Sequence, residues 1–280
     1  MILQTECTFC RVCRSLVVAL SLAAAGIFSP GQCLAQTAQP EAAASRLQVE
    51  NPRRMLFVGN SYLYYGDSVH NHVRRIAVAA GLAGKNQLQY KSVTISGSAL
   101  HDHTISAYLE PGKLRIKRPF EVVILKGGSA APFSLKRRRL FLETVADFSR
   151  QIRATGGETA LYMTHAYHAP HKRARPDAIA DIASLYIDAA NRTGALLIPV
   201  GLAFEEAYRQ RPAIKLHQSF DGSHPSLIGT YLAACVVYAS IYARSVTGNP
   251  YDYFGRIDKK DALFLQKVAD KTVRRVLRRR

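Results

Sequence analysis

The stretch Met55-Leu56-Phe57-Val58-Gly59-Asn60-Ser61 decides the fold. Its first four residues are apolar without interruption, the pattern of a strand buried on both faces, whereas a strand with one wet face alternates. Gly59 and Asn60 then end the run, so that the Ser61 hydroxyl emerges at the edge of a sheet, the position a nucleophile needs. Working outward, further strands are expected at 89–95, 120–125, 160–164 and 196–200, beside the first at 55–58. Helical spacing fills 68–80, 140–153, 176–192, 202–209, 226–244 and 259–279. Strands alternating with crossover helices predict one three-layer α/β/α domain over 51–280, with a five-stranded, mostly parallel sheet. No repeat and no low-complexity linker divides it. In such a sheet, chemistry collects in the loops at the carboxyl ends of the strands.

The N-terminal residues read as an address. Arg11 and Arg14 precede the apolar run 16–28, which is too short to span a bilayer core of about 30 Å. Cys33-Leu34-Ala35 supplies the small residues of a cleavage site, so 1–35 is expected to be a secretory signal peptide cut near Ala35. An uncleaved anchor and a lipoprotein at Cys33 are the alternatives, and Pro30-Gly31-Gln32 is a poor lipidation context. Cys7, Cys10 and Cys13 have ligand-like gaps but run straight into the apolar segment, so no metal site is expected there. Removing 1–35 leaves Cys235 as the one cysteine and no internal disulfide. Residues 36–50, rich in Ala, Gln, Glu and Ser, read as a flexible tether.

The 280 residues are 48% hydrophobic and 21% charged, which excludes a disordered chain and a multi-span membrane protein. The formal net charge is +18, and +17 once 1–35 is removed. No nucleic-acid-binding motif accompanies the charge, and on an exported protein it points to an anionic envelope surface or polymer rather than to nucleic acid. The basic runs are 113–118, 136–139, 172–175 and 274–280. The last closes a helix with Leu265, Val268, Thr272, Val273 and Val276 on one face, where cations favour the C-terminus. The sequence carries no signal of an oligomeric state.

A second chemistry-bearing segment is Asp221-Gly222-Ser223-His224-Pro225, at the opening of a helix whose first turn suits Pro225. A carboxylate three residues before a histidine can hold the imidazole in one tautomer. Gly59-Asn60-Ser61 after the first strand and Asp221-x-x-His224-Pro225 near the end resemble the first and last sequence blocks of the SGNH (GDSL-like) hydrolases. Gly97, in Ile95-Ser96-Gly97-Ser98, stands where that family's second block has a glycine. The third block departs: the family's Gly-x-Asn-Asp is replaced by Gly127-Gly128-Ser129-Ala130, with Ser129 in the Asn position. The Gly-x-Ser-x-Gly elbow of the α/β-hydrolases is absent, since Gly59-Asn60-Ser61-Tyr62-Leu63 lacks the final glycine.

The resemblance implies Ser61 as nucleophile, His224 as general base and then acid, and Asp221 as its orienter. It implies an oxyanion hole from the backbone N–H groups of Ser61 and Gly97, with Ser129 as a third donor shorter than the usual amide. Losing one such donor costs about 10²- to 10³-fold in rate. The start of the following helix is expected to disfavour the imidazolium of His224. No cofactor and no metal is implied.

Asn60, Tyr62, His165 and His168 are candidate substrate-binding residues. His165, His168 and His171 follow the fourth strand, but no acidic residue stands among them and Pro170 breaks the spacing a metal site would need. Tyr62, Tyr64 and Tyr65 read either as a sugar-stacking wall or as ordinary packing, and His101, Asp102 and His103 as possible pocket lining. The expected function is that of an exported serine esterase acting on carboxylic esters, O-acetyl groups on polysaccharide among them. A non-catalytic module binding an anionic polymer and an acyltransferase with the same triad are the alternatives.

Overall fold

The computed structural model describes residues 42–279. The expected signal segment 1–35, with Cys7, Cys10, Cys13 and Cys33, lies outside the described residues, as does 36–41 of the expected tether.

The chain runs β1 (Arg54–Gly59), α1 (Ser61–Tyr64), α2 (Val69–Ala79), β2 (Gln89–Thr94), α3 (Ile105–Leu109), β3 (Val122–Leu125), α4 (Leu135–Ala154), β4 (Glu158–Tyr162), α5 (Ala178–Thr193), β5 (Leu196–Ile198), α6 (Val200–Gln210), α7 (Leu227–Tyr242) and α8 (Lys259–Val276). The five strands form one sheet in the order β2-β1-β3-β4-β5. All are parallel, where the sequence predicts mostly parallel. Met55 stands beside Tyr90 on one side and Val122 on the other, and Val58 beside Val93 and Leu125, so β1 and β3 end level. The order reverses at β1, and a doubly wound sheet opens its crevice at such a switch point.

Layering follows from residue type. Leu56, Val58, Val123 and Leu125 are fully buried, as are Met55, Phe57, Val122 and Ile124 on the opposite face, so both faces of the sheet are covered. Helices α4 and α5 pack together on one face, α2 and α7 on the other, and α6 bridges α5 and α7 beside β5. Helix α7 is apolar on every side because α8 covers the side turned from the sheet. Cys235 is buried there and makes no disulfide among the described residues, and burial pushes its thiol far up. The amphipathic face read at Leu265, Val268, Thr272 and Val273 is the face α8 buries. Among the described residues no helix is long and apolar enough to cross a membrane.

Two expectations are corrected. Helix α4 starts at Leu135 rather than at 140, so the basic run 136–139 lies at the start of a helix and not in a loop. Residues 42–50 are no free tether. Glu158, at the start of β4, accepts hydrogen bonds from the N–H groups of Gln48 at 2.9 Å and Val49 at 2.7 Å. Arg279 binds the Ser45 carbonyl, and Leu47 enters the core at 8% exposure. Val49 and Ala42 pack against the core beside it. Leu47→Ala is expected to destabilise the protein by about 2 kcal/mol, measured by urea unfolding; a tether residue would change nothing.

Candidate active site

Three loops meet at the carboxyl ends of β1, β2 and β3, and Asn60 ties them together. Its buried amide donates to the carbonyl of Ser98 at 2.8 Å and, more weakly, to that of Gly127 at 3.4 Å. Its carbonyl accepts from Lys126 Nζ at 2.8 Å and from the N–H of Tyr62 at 3.3 Å, the latter capping α1. Ser61 is therefore the first residue of α1, with a backbone N–H that has no helical partner. Gly59 is required behind it, because a Cβ there would stand 2.9 Å from the Lys126 Cβ.

His224 reaches Ser61 from the far end of the chain. Its Nε2 lies 2.9 Å from Ser61 Oγ, and its Nδ1 lies 2.5 Å from Asp221 Oδ2. Burial pushes the Asp221 carboxyl up, but hydrogen bonds from His224 and from the N–H groups of Ser223 (2.8 Å) and His224 (3.1 Å) outweigh it and hold the group below its ordinary value. An ionised Asp221 places the imidazole proton on Nδ1, which leaves Nε2 to accept the Ser61 proton. The ring is clamped: Tyr65 stacks on it at 4.1 Å, and Tyr62 meets it edge-on at 5.6 Å. The loop carrying Asp221 needs Gly222, whose φ is +60° and whose Cβ would stand 2.0 Å from the His168 carbonyl oxygen. Pro225 precedes the N-cap of α7, which is Ser226, so it stands before the first turn rather than in it.

Ser61 opens onto a cleft of about 370 Å³. Gly97, Ser98, Leu100, Gly128, Ser129 and Phe141 line it. Gly97 has a φ of +71° and open space where a Cβ would stand, and its N–H makes no hydrogen bond among the described residues. Ser129 accepts a hydrogen bond from Tyr167 Oη at 2.8 Å, which leaves its own proton free to be donated. His101 lines the cleft, while the buried His103 backs it through Ser98 Oγ at 3.2 Å.

The candidate substrate-binding residues sort differently from expectation. The amide of Asn60 is used up inside the protein, and Tyr62 is 3% exposed with its hydroxyl 2.6 Å from Ser223 Oγ. Both edge the cleft as support rather than as a reaching surface. His165 does not line the cleft: it is buried between the parallel rings of Tyr62 at 4.6 Å and Phe204 at 4.4 Å. Its Nε2 donates to the Ser223 carbonyl at 2.9 Å, and burial holds it far below the ordinary histidine value. His168 is exposed outside the cleft, stacked on Tyr208 at 4.5 Å. A loop histidine near a strand end reads the same whether it points into a cleft or behind it, and only packing separates the two. Tyr64 stacks on Tyr65, so the three tyrosines serve packing more than an open wall. Among the described residues no cluster of His, Cys, Asp or Glu has a metal-holding arrangement.

Sequence reading passed over Lys126, Tyr167, His217 and Arg137 as site residues. The one available signal was Lys126, a cation ending the apolar run of β3. It is fully buried, lies 3.9 Å from the centroid of the Tyr62 ring, and burial depresses its pKa strongly.

A three-layer fold with a serine, histidine and aspartate gathered at its strand ends has the form of the SGNH hydrolases. No family model and no curated protein matches the sequence. Solved structures do. A DUF4886 family protein from Bacteroides uniformis is 20% identical at a TM-score of 0.60, over 78% of this chain and 93% of that one. A protein described as an SGNH hydrolase from Slackia heliotrinireducens is 22% identical at 0.54, over 68% and 98%. An acetyl xylan esterase is 15% identical at 0.52, over 67% and 98%. These likenesses show the fold, and the chain has the SGNH hydrolase fold.

Two outcomes follow from this packing. Gly222→Ala is expected to cost at least about 2 kcal/mol in urea unfolding, since both the backbone conformation and the His168 contact must yield. His217 behind the site donates from Nε2 to the Ala166 carbonyl at 3.0 Å and accepts from Tyr208 Oη at 2.7 Å. Burial first, with His168 nearby, lowers its pKa to about 4, against the Ala166 bond and Asp221, which raise it. A depressed histidine binds fewer protons in the folded state than in the unfolded chain between about pH 4 and 6.5, so stability falls as pH falls through that window. The slope is up to about 1.4 kcal/mol per pH unit for such a group. Melting from pH 7 to 4.5 is expected to show the decline, and His217→Gln to flatten it.

Proposed function

We propose that this protein is a serine esterase that hydrolyses carboxylic esters through an acyl-enzyme on Ser61, with O-acetyl groups on carbohydrate as its substrate class. The observation that carries this reading is the continuous line Ser61 Oγ, His224 Nε2, His224 Nδ1 and Asp221 Oδ2, with steps of 2.9 and 2.5 Å across the two hydrogen bonds.

Ser61 Oγ attacks the ester carbonyl as its proton passes to His224 Nε2, and Asp221 stabilises the imidazolium that forms. The oxyanion is received by the N–H groups of Ser61 and Gly97, with the Ser129 hydroxyl as third donor, its lone pair already engaged by Tyr167. The bond to the alcohol breaks, and the alcohol leaves with the proton from His224. Water then attacks the acyl-enzyme, giving its proton to His224, and release of the acid returns the proton to Ser61. Leu100, Ala131 and Phe141 give the cleft apolar lining, which suits a small acyl group. The acetyl xylan esterase of like fold acts, by its name, on such a substrate and supports this choice. The basic start, apolar run and small-residue exit within 1–35 support export to the periplasm or beyond.

Ser61→Ala is expected to lower kcat/KM on 4-nitrophenyl acetate by at least about 10³-fold and to abolish labelling by a fluorophosphonate. Unchanged hydrolysis in that variant removes the reading. Ser129→Ala is expected to lower kcat by about 10²-fold with KM little changed, and Tyr167→Phe by less, since it only frees a rotor.

A further inference from the structure

We propose that Arg137 selects esters bearing a carboxylate on the alcohol side, which makes the substrate class an acidic carbohydrate ester, such as one on a uronate sugar. This rests on the esterase reading above and narrows it.

Arg137 lines the cleft together with Phe141, one turn further along α4, so both lie on the same helical face. Phe141 is buried, whereas Arg137 is exposed. An acyl group seated against Phe141 therefore leaves the alcohol moiety to pass Arg137 on its way out. No acidic side chain lines the cleft, and Arg137 is the only Lys or Arg among its lining residues. Among the described residues Arg137 makes no hydrogen bond or ion pair. Its neighbour Arg138, in contrast, is committed to the carbonyls of Pro132 at 3.3 Å and Asp181 at 3.2 Å and to Ser184 Oγ at 3.3 Å.

The helix does not explain the charge. Lys136, Arg137 and Arg138 fall in the first turn of α4, with Arg139 next, and no acidic residue offsets them there. Cations at a helix N-terminus oppose the macrodipole, so this run weakens the element that bears it. A guanidinium at the mouth of a cleft free of acidic side chains matches a carboxylate bidentately, which a neutral sugar does not exploit.

The test compares 4-acetoxybenzoate with its neutral counterpart 4-acetoxybenzamide, reading the ratio of their kcat/KM values. Arg137→Gln is expected to lower the acid-to-amide ratio by about five- to tenfold, and Arg137→Glu to lower it further. Arg139→Gln, with the same change of charge on the same helix, is expected to leave the ratio within twofold. A ratio unchanged in Arg137→Gln, or lowered equally in Arg139→Gln, overturns the proposal. Calorimetric binding of the same two compounds to Ser61→Ala protein reads the preference without turnover. If neither ester is hydrolysed faster than by Ser61→Ala but the acid still binds tighter in an Arg137-dependent way, the esterase reading falls and the anion-selective cleft stands. Equal affinities with and without Arg137 overturn the selectivity itself.

Discussion

The amide of Asn60 joins the loops that follow β1, β2 and β3, and the geometry of the site depends on it. Both ends of the side chain are used, toward Ser98 and Gly127 through its N–H groups and toward Lys126 and Tyr62 through its oxygen. A buried amide stripped of any of these partners would carry the full desolvation cost of the orphaned group, so the four bonds stand or fall nearly together. Through them the nucleophile loop, the loop bearing Gly97 and the loop bearing Ser129 are held at one spacing. Lys126 completes the arrangement at the cost of a buried amine, which burial drives toward its neutral form and which rests against the face of Tyr62.

The histidine side of the site is built by stacking. His224 lies between the ring of Tyr65 and the edge of Tyr62, and Tyr62 in turn stacks on His165, which stacks on Phe204. His165 also holds the Ser223 carbonyl, one residue before His224. This column of rings runs from the wet imidazole into the dry core, so a neutral His165 and a neutral His217 are structural parts of the base's support. Their low pKa values come from burial first, and stability at mildly acidic pH depends on them remaining neutral.

Much of the fold was legible because its signals are local. Continuous apolar runs predict buried parallel strands, and the amphipathic face of α8 predicts a cover for an apolar partner. Strand and helix ends moved by a few residues, most at α4, whose first turn carries cations against the macrodipole. The anchoring of 42–50 was not legible because Leu47, Val49 and Ala42 fall in no helical or strand period. Ser61, Asp221 and His224 were legible as types in a spacing, since a nucleophile must stand at a strand end and an orienting carboxylate close to its histidine.

What the sequence by itself determined is the alternation of elements, the parallel sheet and the residues capable of the chemistry, because strand burial, turn chemistry and short spacings are properties of neighbouring residues. What only the tertiary structure decided is which of the loop side chains face the cleft. His165 and His168 turned away from it, Asn60 and Tyr62 became its support, and Arg137 entered it. That sorting depends on contacts between residues far apart in the chain, such as the 163-residue separation between Ser61 and His224, and no local pattern encodes them.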